Sequence, residues 1–340
     1  MKNKIFIGII IAIIFIAIIG SLCLNKTTIE YSVNGEQIVS KNSTEKEYYD
    51  VTTFGANGED EENDKQAIQA SLDKAKETNN DIIVYVPEGT YYIDGQLKIY
   101  SNTTLSLNEN AVIVHSTGKG QMLITGHLNS DGTDCSGAKC THGGYTQWEN
   151  ITIEGGTWNC NNKGNLNYNC FFTPHGQGLT IRNATFINSA GHTLNVSDSQ
   201  DILIENVTIK DQVSSEPKKA DNKNEVIHLD AATEGGEPQA YPIDNTPNKN
   251  VIIQNCTFEN VLCGIGAHLG YNGNENYMGD NIVIRNNTFK DIKFYAIDIF
   301  AHKLELSEPE SLKIKAADLN KDGKIDINDL SKLQKMFLGM

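Results

Sequence analysis

Two acids and an imidazole stand within six residues in the stretch NEVIHLD, residues 224 to 230: Glu225, His228 and Asp230. The stretch alternates as a β-strand does, with Ile227 and Leu229 on one face and His228 and Asp230 on the other. A carboxylate beside an imidazole fixes the ring's tautomer and raises its basicity, which is the pairing that general acid–base catalysis uses. An inert, solvated polar strand face is the alternative reading of the same pattern.

An internal repeat shows which elements must position these residues. IEGGTW at 153–158 recurs as IRNATF at 181–186, IENVTI at 204–209, IQNCTF at 253–258 and IRNNTF at 284–289, in steps of 28, 23, 49 and 31 residues. Units of two or three short strands cannot bury their inner faces alone and must stack on copies of themselves, which predicts a solenoid. The recurrent Asn suits tight corners, because Asn tolerates left-handed backbone geometry and can bond to the Asn of the next coil.

The second strand of each coil aligns by its inner pairs, Leu194 and Val196, Ile227 and Leu229, Ile265 and Ala267, Ile297 and Ile299. The outward columns are then Asn195, His228, Gly266, Asp298 and, one step on, Ser197, Asp230, His268, Phe300. Column neighbours lie about 4.8 Å apart and alternate residues of one strand about 6.6–7 Å apart. Asp230 is therefore expected beside His268 and near His228, with Gly266 leaving a gap next to His228. Glu225, His228, Asp230 and His268 are the candidate catalytic residues, and His192, Asp244, Gly266, Asp298 and His302 the candidate floor and rim of a substrate groove. Carboxylates and imidazoles around a bare glycine suit a sugar ring and acid–base chemistry.

Ahead of the repeat, Asn63 with Gln66 three residues on reads as a helix cap, and Ala67, Ile68, Leu72 and Ala75 as an apolar stripe. With FGANG at 54–58, this helix, VPEGTYYI at 86–93 and the Asn-rich repeat, residues 49–303 resemble the pectate-lyase-type right-handed parallel β-helix superfamily, which includes pectate lyases, polygalacturonases and alginate epimerases. The resemblance implies an all-β solenoid with an N-terminal capping helix, and a lyase or glycoside hydrolase acting on a polysaccharide. The Asn-x-Asp, Asp-Asp, Gly-His-Gly and Arg-x-Lys signatures of polygalacturonases are not present in recognisable order. The epimerases' Asp-Pro-His meets only TPHG at 173–176, which makes His175 a loop residue.

Residues 318–329, DLNKDGKIDIND, place Asp318, Asn320, Asp322, Lys324 through its carbonyl, Asp326 and Asp329 at the ligand positions of a calcium loop, with Gly323 at the sharp turn. Leu330, Leu333 and Phe337 give the following segment one apolar helical face. The Asp at position twelve and the short segment ahead of it resemble a type I dockerin repeat, an EF-hand-like module. That resemblance implies bound Ca2+ and a cohesin-bearing scaffold as partner, although dockerins usually carry two repeats and only one is present.

The N-terminal segment carries Lys2 and Lys4 and then an uncharged apolar run from Ile5 to Leu24. Its length favours an uncleaved membrane anchor over a cleaved signal peptide and sends the bulk of the chain outside the cell. The expected organisation is an anchor or signal at 1–24, a polar stalk at 25–48, the β-helix at 49–303, a linker at 304–317 and the calcium repeat at 318–340. Beyond Cys23, the six cysteines Cys135, Cys140, Cys160, Cys170, Cys256 and Cys263 suit local disulfides in an exported chain, with Cys256 and Cys263 equally readable as small buried residues. No Cys–His spacing resembles a zinc site. A net charge of −15 argues against a nucleic-acid partner. Two function classes follow: an extracellular, cell-surface polysaccharide-active enzyme, or a non-catalytic adhesin that binds glycans.

Overall fold

The computed structural model describes residues 31–33, 36–38, 46–135, 140–163, 169–213, 224–234, 236–267, 279–299 and 304–307. The apolar run at 5–24, the calcium loop at 318–329 and the candidate residues His268 and His302 lie outside them. Among the described residues no helix is long and apolar enough to cross a membrane. The chain forms two units, 1–45 and 46–340. In the first, Tyr31–Val33 and Glu36–Ile38 pair antiparallel, a hairpin where the sequence reads as stalk.

The second unit is a parallel β-helix with three strands to a coil. One stack is a nine-stranded parallel sheet in sequence order, from Glu47–Asp50 and Ile82–Val86 through Trp148–Glu154, Gly176–Arg182, Gln200–Glu205 and Lys249–Gln254 to Asp280–Arg285 and Leu304–Ser307. A second stack runs from Gly89–Ile93 through Thr157–Asn159, Thr185–Ile187 and Thr208–Lys210. A third runs from Leu97–Ile99 through Phe171–Phe172, Leu194–Asn195 and Glu225–His228. The long strands Thr257–Gly266 and Thr288–Asp298 belong to both of these stacks. Among the described residues the coils run from Glu47 to Ser307, with the edge strands at both ends paired to their neighbours.

The repeat residues stack as the sequence requires. Ile153, Ile181, Ile204, Ile253 and Ile284 are in register down the first stack, and Trp158, Phe186, Ile209, Phe258 and Phe289 down the second. All are buried except Phe289, which is partly so and packs against the same core. Each inward side chain meets its counterpart one coil away, so one continuous apolar column replaces the core that no single coil could make.

The corners use backbone geometry that an L-residue reaches only at a cost. Asn183, Asn206, Asn255 and Asn286 all have φ between 53° and 58°, and Asn206 Nδ2 donates to Asn183 Oδ1 at 3.3 Å. Asn206 is exposed, so its value lies in the turn rather than in packing. Asn206→Ala is expected to cost about 1–2 kcal/mol in urea unfolding, and Asn206→Gly far less, because only the former forces a Cβ without a compensating side chain into the left-handed region. Equal losses would assign the role to the side-chain ladder instead.

The helix ahead of the coils spans Lys65–Leu72 and buries Ile68 and Leu72 in the core. Asp64, just ahead of it, already has helical backbone angles and makes no side-chain cap bond. The Asp64 carboxylate accepts from the Asn57 and Tyr92 backbone N–H groups at 2.8 and 3.0 Å, so it ties the helix start to the loop before it and to the second stack. Asn63 Oδ1 accepts from Lys65 N at 3.2 Å. Of the six cysteines, Cys135 and Cys140 form a disulfide, while Cys160, Cys170, Cys256 and Cys263 are buried and not disulfide-bonded. Cys256 and Cys263 thus take the second of their two readings, as small buried residues.

Candidate functional site

The third stack carries the outward column as aligned: Asn195, His228, Gly266 and Asp298 are paired in register on four successive coils. At its centre one imidazole stands between two carboxylates. His228 Nδ1 lies 3.5 Å from Glu225 Oε2, and His228 Nε2 lies 3.4 Å from Asp230 Oδ2. His192 stacks on His228 with ring centroids 3.9 Å apart and planes 17° apart, and its Nδ1 donates to the Glu225 carbonyl at 2.8 Å.

The glycine of the column has a different task from the one expected. Gly266 does not open a floor for a ligand. A Cβ there would stand 2.3 Å from Glu225 Cγ, so the space is filled by the Glu225 side chain. The Tyr295 hydroxyl donates to Glu225 Oε1. Tyr295 reaches this position through a bulge between the last two long strands, which sets it opposite Cys263. Burial pushes the Glu225 carboxyl up, but the His228 hydrogen bond, the charges of His192 and His228 and the Tyr295 hydrogen bond outweigh it and hold the group down at about 2. Burial and the Glu225 charge push the Tyr295 hydroxyl far above the usual phenol range.

The array is also covered, where the sequence predicts an open groove. Glu225, His228 and Asp230 are each no more than 3% exposed. The 236–246 segment, part of the 49-residue step, lies against the column: Asn195 Nδ2 donates to Glu237 Oε2 at 2.5 Å, and Ala240 joins Ala232 and Phe172 in a small apolar cluster. Asp244 is drawn away from the groove rim and holds this segment to the 140s, accepting from Gly144 N at 2.7 Å. His175 does the same, with Nδ1 3.0 Å from the Gly144 carbonyl and Nε2 2.9 Å from that of Pro242. It is a loop residue as expected, but a buried one. Asp298 is half-buried at the end of the column.

Sequence reasoning passed over Asp198 and Glu237. Asp198 is fully buried, and neither carboxyl oxygen has a hydrogen-bond partner. Burial first, then the charges of Glu237, Asp230 and Asp244, push its carboxyl well above the usual range. The folded chain keeps a proton there that the unfolded chain releases around the ordinary value of 3.8. Above that pH the folded state binds more protons than the unfolded one, so this group lowers stability as pH rises. Asp198→Asn removes the effect. Its urea stability relative to the native chain is expected to grow with pH above about 4, by up to about 1.4 kcal/mol per unit. A pH-independent difference would mean that Asp198 is ionised in the fold.

His192, Glu225 and His228 bring three possible metal-binding atoms within 4.8 Å of one another. The two rings are nearly parallel and stacked, so one ion cannot lie in both ring planes, where imidazole lone pairs point, and His192 Nδ1 is already engaged. The arrangement suits proton handling better than coordination.

Comparison with known proteins agrees with the architecture. The chain is similar to plasmin and fibronectin-binding protein A of Streptococcus pneumoniae, 28% identical over a 293-residue alignment that covers 77% of this chain but 39% of that protein. The chain thus spans well under half the length of that curated relative. Among solved structures it is similar to PfbA, a surface adhesin of S. pneumoniae, with TM-score 0.58 and 28% identity over 71% of this chain and 57% of that one. It shares the fold of a family 28 exopolygalacturonase of Yersinia enterocolitica, with TM-score 0.50 and 14% identity over 80% of this chain and 57% of that one. Residues 48–296 match the rhamnogalacturonase A/epimerase, pectate lyase-like family across nearly all the coils, and the chain belongs to that family.

Proposed function

We propose that the chain is an extracytoplasmic, cell-surface protein that cleaves or modifies a polysaccharide, with His228 as the proton-transferring group, Asp230 orienting it and Glu225 as a fixed negative charge. The observation that carries this reading is the single imidazole held at 3.5 and 3.4 Å between two buried carboxylates on the outward column. Glu225 is held ionised and Asp198 is pushed toward its protonated form, opposed carboxyl environments of the kind that acid–base sites use. Substrate entry needs the 236–246 segment to lift, which would break its side-chain bonds to Asn195, Gly144, Gln147 and His175, its backbone bonds to Ala231 and Ala232 and the small Phe172 cluster. His268 and His302 complete the same groove in this proposal.

The second reading is a surface adhesin without catalysis. It is favoured by the similarity to a plasmin- and fibronectin-binding protein and by the covered state of the array. A separate cleft of about 710 Å³, lined by Tyr100, Tyr145, Gln147, Glu149 and Gln177 among others, offers an open surface for such binding. One experiment separates the two. The full chain is screened for new reducing ends and unsaturated products on acidic and neutral plant, algal and host glycans, and in parallel on glycan arrays and on immobilised plasmin and fibronectin. Product release supports the enzyme; saturable binding without product overturns it in favour of the adhesin.

The tail belongs to the same proposal. Asp318, Asn320, Asp322, the Lys324 carbonyl, Asp326 and Asp329 hold one Ca2+, the dockerin-like repeat attaches the chain to a cohesin-bearing scaffold, and residues 5–24 anchor it in the membrane. Calorimetry on the full chain and on its Asp318→Ala, Asp329→Ala double variant decides the calcium part; equal heats would reject it.

A further inference from the structure

We propose that in its thiol form the chain binds one zinc ion through His127 Nε2, Cys135 Sγ, Cys140 Sγ and His142 Nδ1. The two nitrogens already face each other in contact, and Cys135 Sγ lies within 4.8 Å of both. Cys140 Sγ is bonded to Cys135 Sγ, so four donors of the types zinc prefers converge on one point. The imidazoles meet edge to face, 78° apart, so both ring planes can contain one ion between them, unlike the stacked His192 and His228 pair.

The surroundings resemble those of a prepared ligand. His127 Nδ1 is bonded to the Gln147 carbonyl, which orients the ring and, with Nδ1 as donor, leaves Nε2 as the lone-pair atom. Metal-binding histidines are commonly fixed in this way through their other nitrogen. Gln147 is held in turn, its Nε2 donating to the His142 and Tyr241 carbonyls at 2.8 and 2.6 Å. The cysteines are separated by four residues, within the usual range for paired zinc thiolates, but His127 precedes them and His142 follows; this order is why the sequence shows no zinc site, a reading that the proposal reverses.

The chemistry balances with a dithiol reductant. The dithiol supplies two electrons, the Cys135–Cys140 bond breaks to give two thiols, and the reductant leaves as its cyclic disulfide. Each thiol loses one proton on coordination, zinc stays divalent, and two thiolates neutralise its charge. The disulfide and the zinc site are therefore mutually exclusive states of the same four residues.

The full chain is reduced with dithiothreitol, loaded with zinc, desalted anaerobically and assayed for metal, with the oxidised chain as its own control. About one zinc per chain in the reduced form and none in the oxidised form is expected. Cobalt in place of zinc should give tetrahedral ligand-field bands with thiolate charge transfer. His142→Ala and Cys135→Ser, Cys140→Ser should each lose the stoichiometric metal. Equal zinc in reduced and oxidised chain, retention of zinc by the double Ser variant, or a reduced chain whose circular dichroism shows unfolding with zinc present would each overturn the proposal.

Discussion

Asp230→Asn is expected to lower turnover on the polysaccharide proposed as substrate by at least ~10²-fold, the usual effect of disabling an acid–base group. Asp230 Oδ2 faces His228 Nε2 at 3.4 Å, and both groups are 2% exposed, so water offers no substitute partner. The amide keeps the size but replaces the carboxylate that faces the ring nitrogen. His228→Ala should do at least as much, and the double variant little worse, because partners that act as a unit are not additive. Glu225 has a different part. Held at about 2, it stays ionised at any working pH and cannot serve as the proton donor. Steady-state kinetics on the three variants, with circular dichroism to confirm folding, checks the assignment. Native turnover in both Asp230→Asn and His228→Ala would remove the array from the chemistry.

Phe171→Ala is expected to cost about 3–5 kcal/mol of stability, measured by urea unfolding. Phe171 is fully buried, edge-on to Trp158 at 4.7 Å and to Phe186 at 5.0 Å, and in register with Leu123 and Leu194 on the coils either side. Truncation opens a cavity where the second and third stacks meet, and the neighbouring coils are fixed by their own strand pairing, so little collapse can fill it. Against a typical total of about 5–15 kcal/mol, the loss is a large fraction. A cost below about 1.5 kcal/mol would mean that the coils can close on the gap.

The coils themselves were legible residue by residue. The step between Ile153, Ile181, Ile204, Ile253 and Ile284 announced the stack, and the outward column of Asn195, His228, Gly266 and Asp298 follows from the period of two alone. These are consequences of a local rule: an inner face that one coil cannot bury must be covered by the next. The helix was legible in type and in its Asn63 side-chain bond to Lys65 N, but the bonds from Asn57 and Tyr92 that tie Asp64 to its surroundings are not contained in local patterning.

What surrounds the column was decided only by tertiary structure. Alternation says that Gly266 faces outward, but not that the Glu225 side chain fills the space above it, nor that a bulge brings Tyr295 onto the same carboxylate. Asp198 reads in the sequence as one more polar turn residue, and only its burial, with the charges of Glu237, Asp230 and Asp244 added, pushes its carboxyl up. Likewise His127 and His142 are 15 residues apart and become neighbours through loop folding. Strand register depends on side-chain period, which the chain carries along its length. Burial and charge depend on which insertion lies against which coil, and that is fixed only when long loops settle on the finished solenoid.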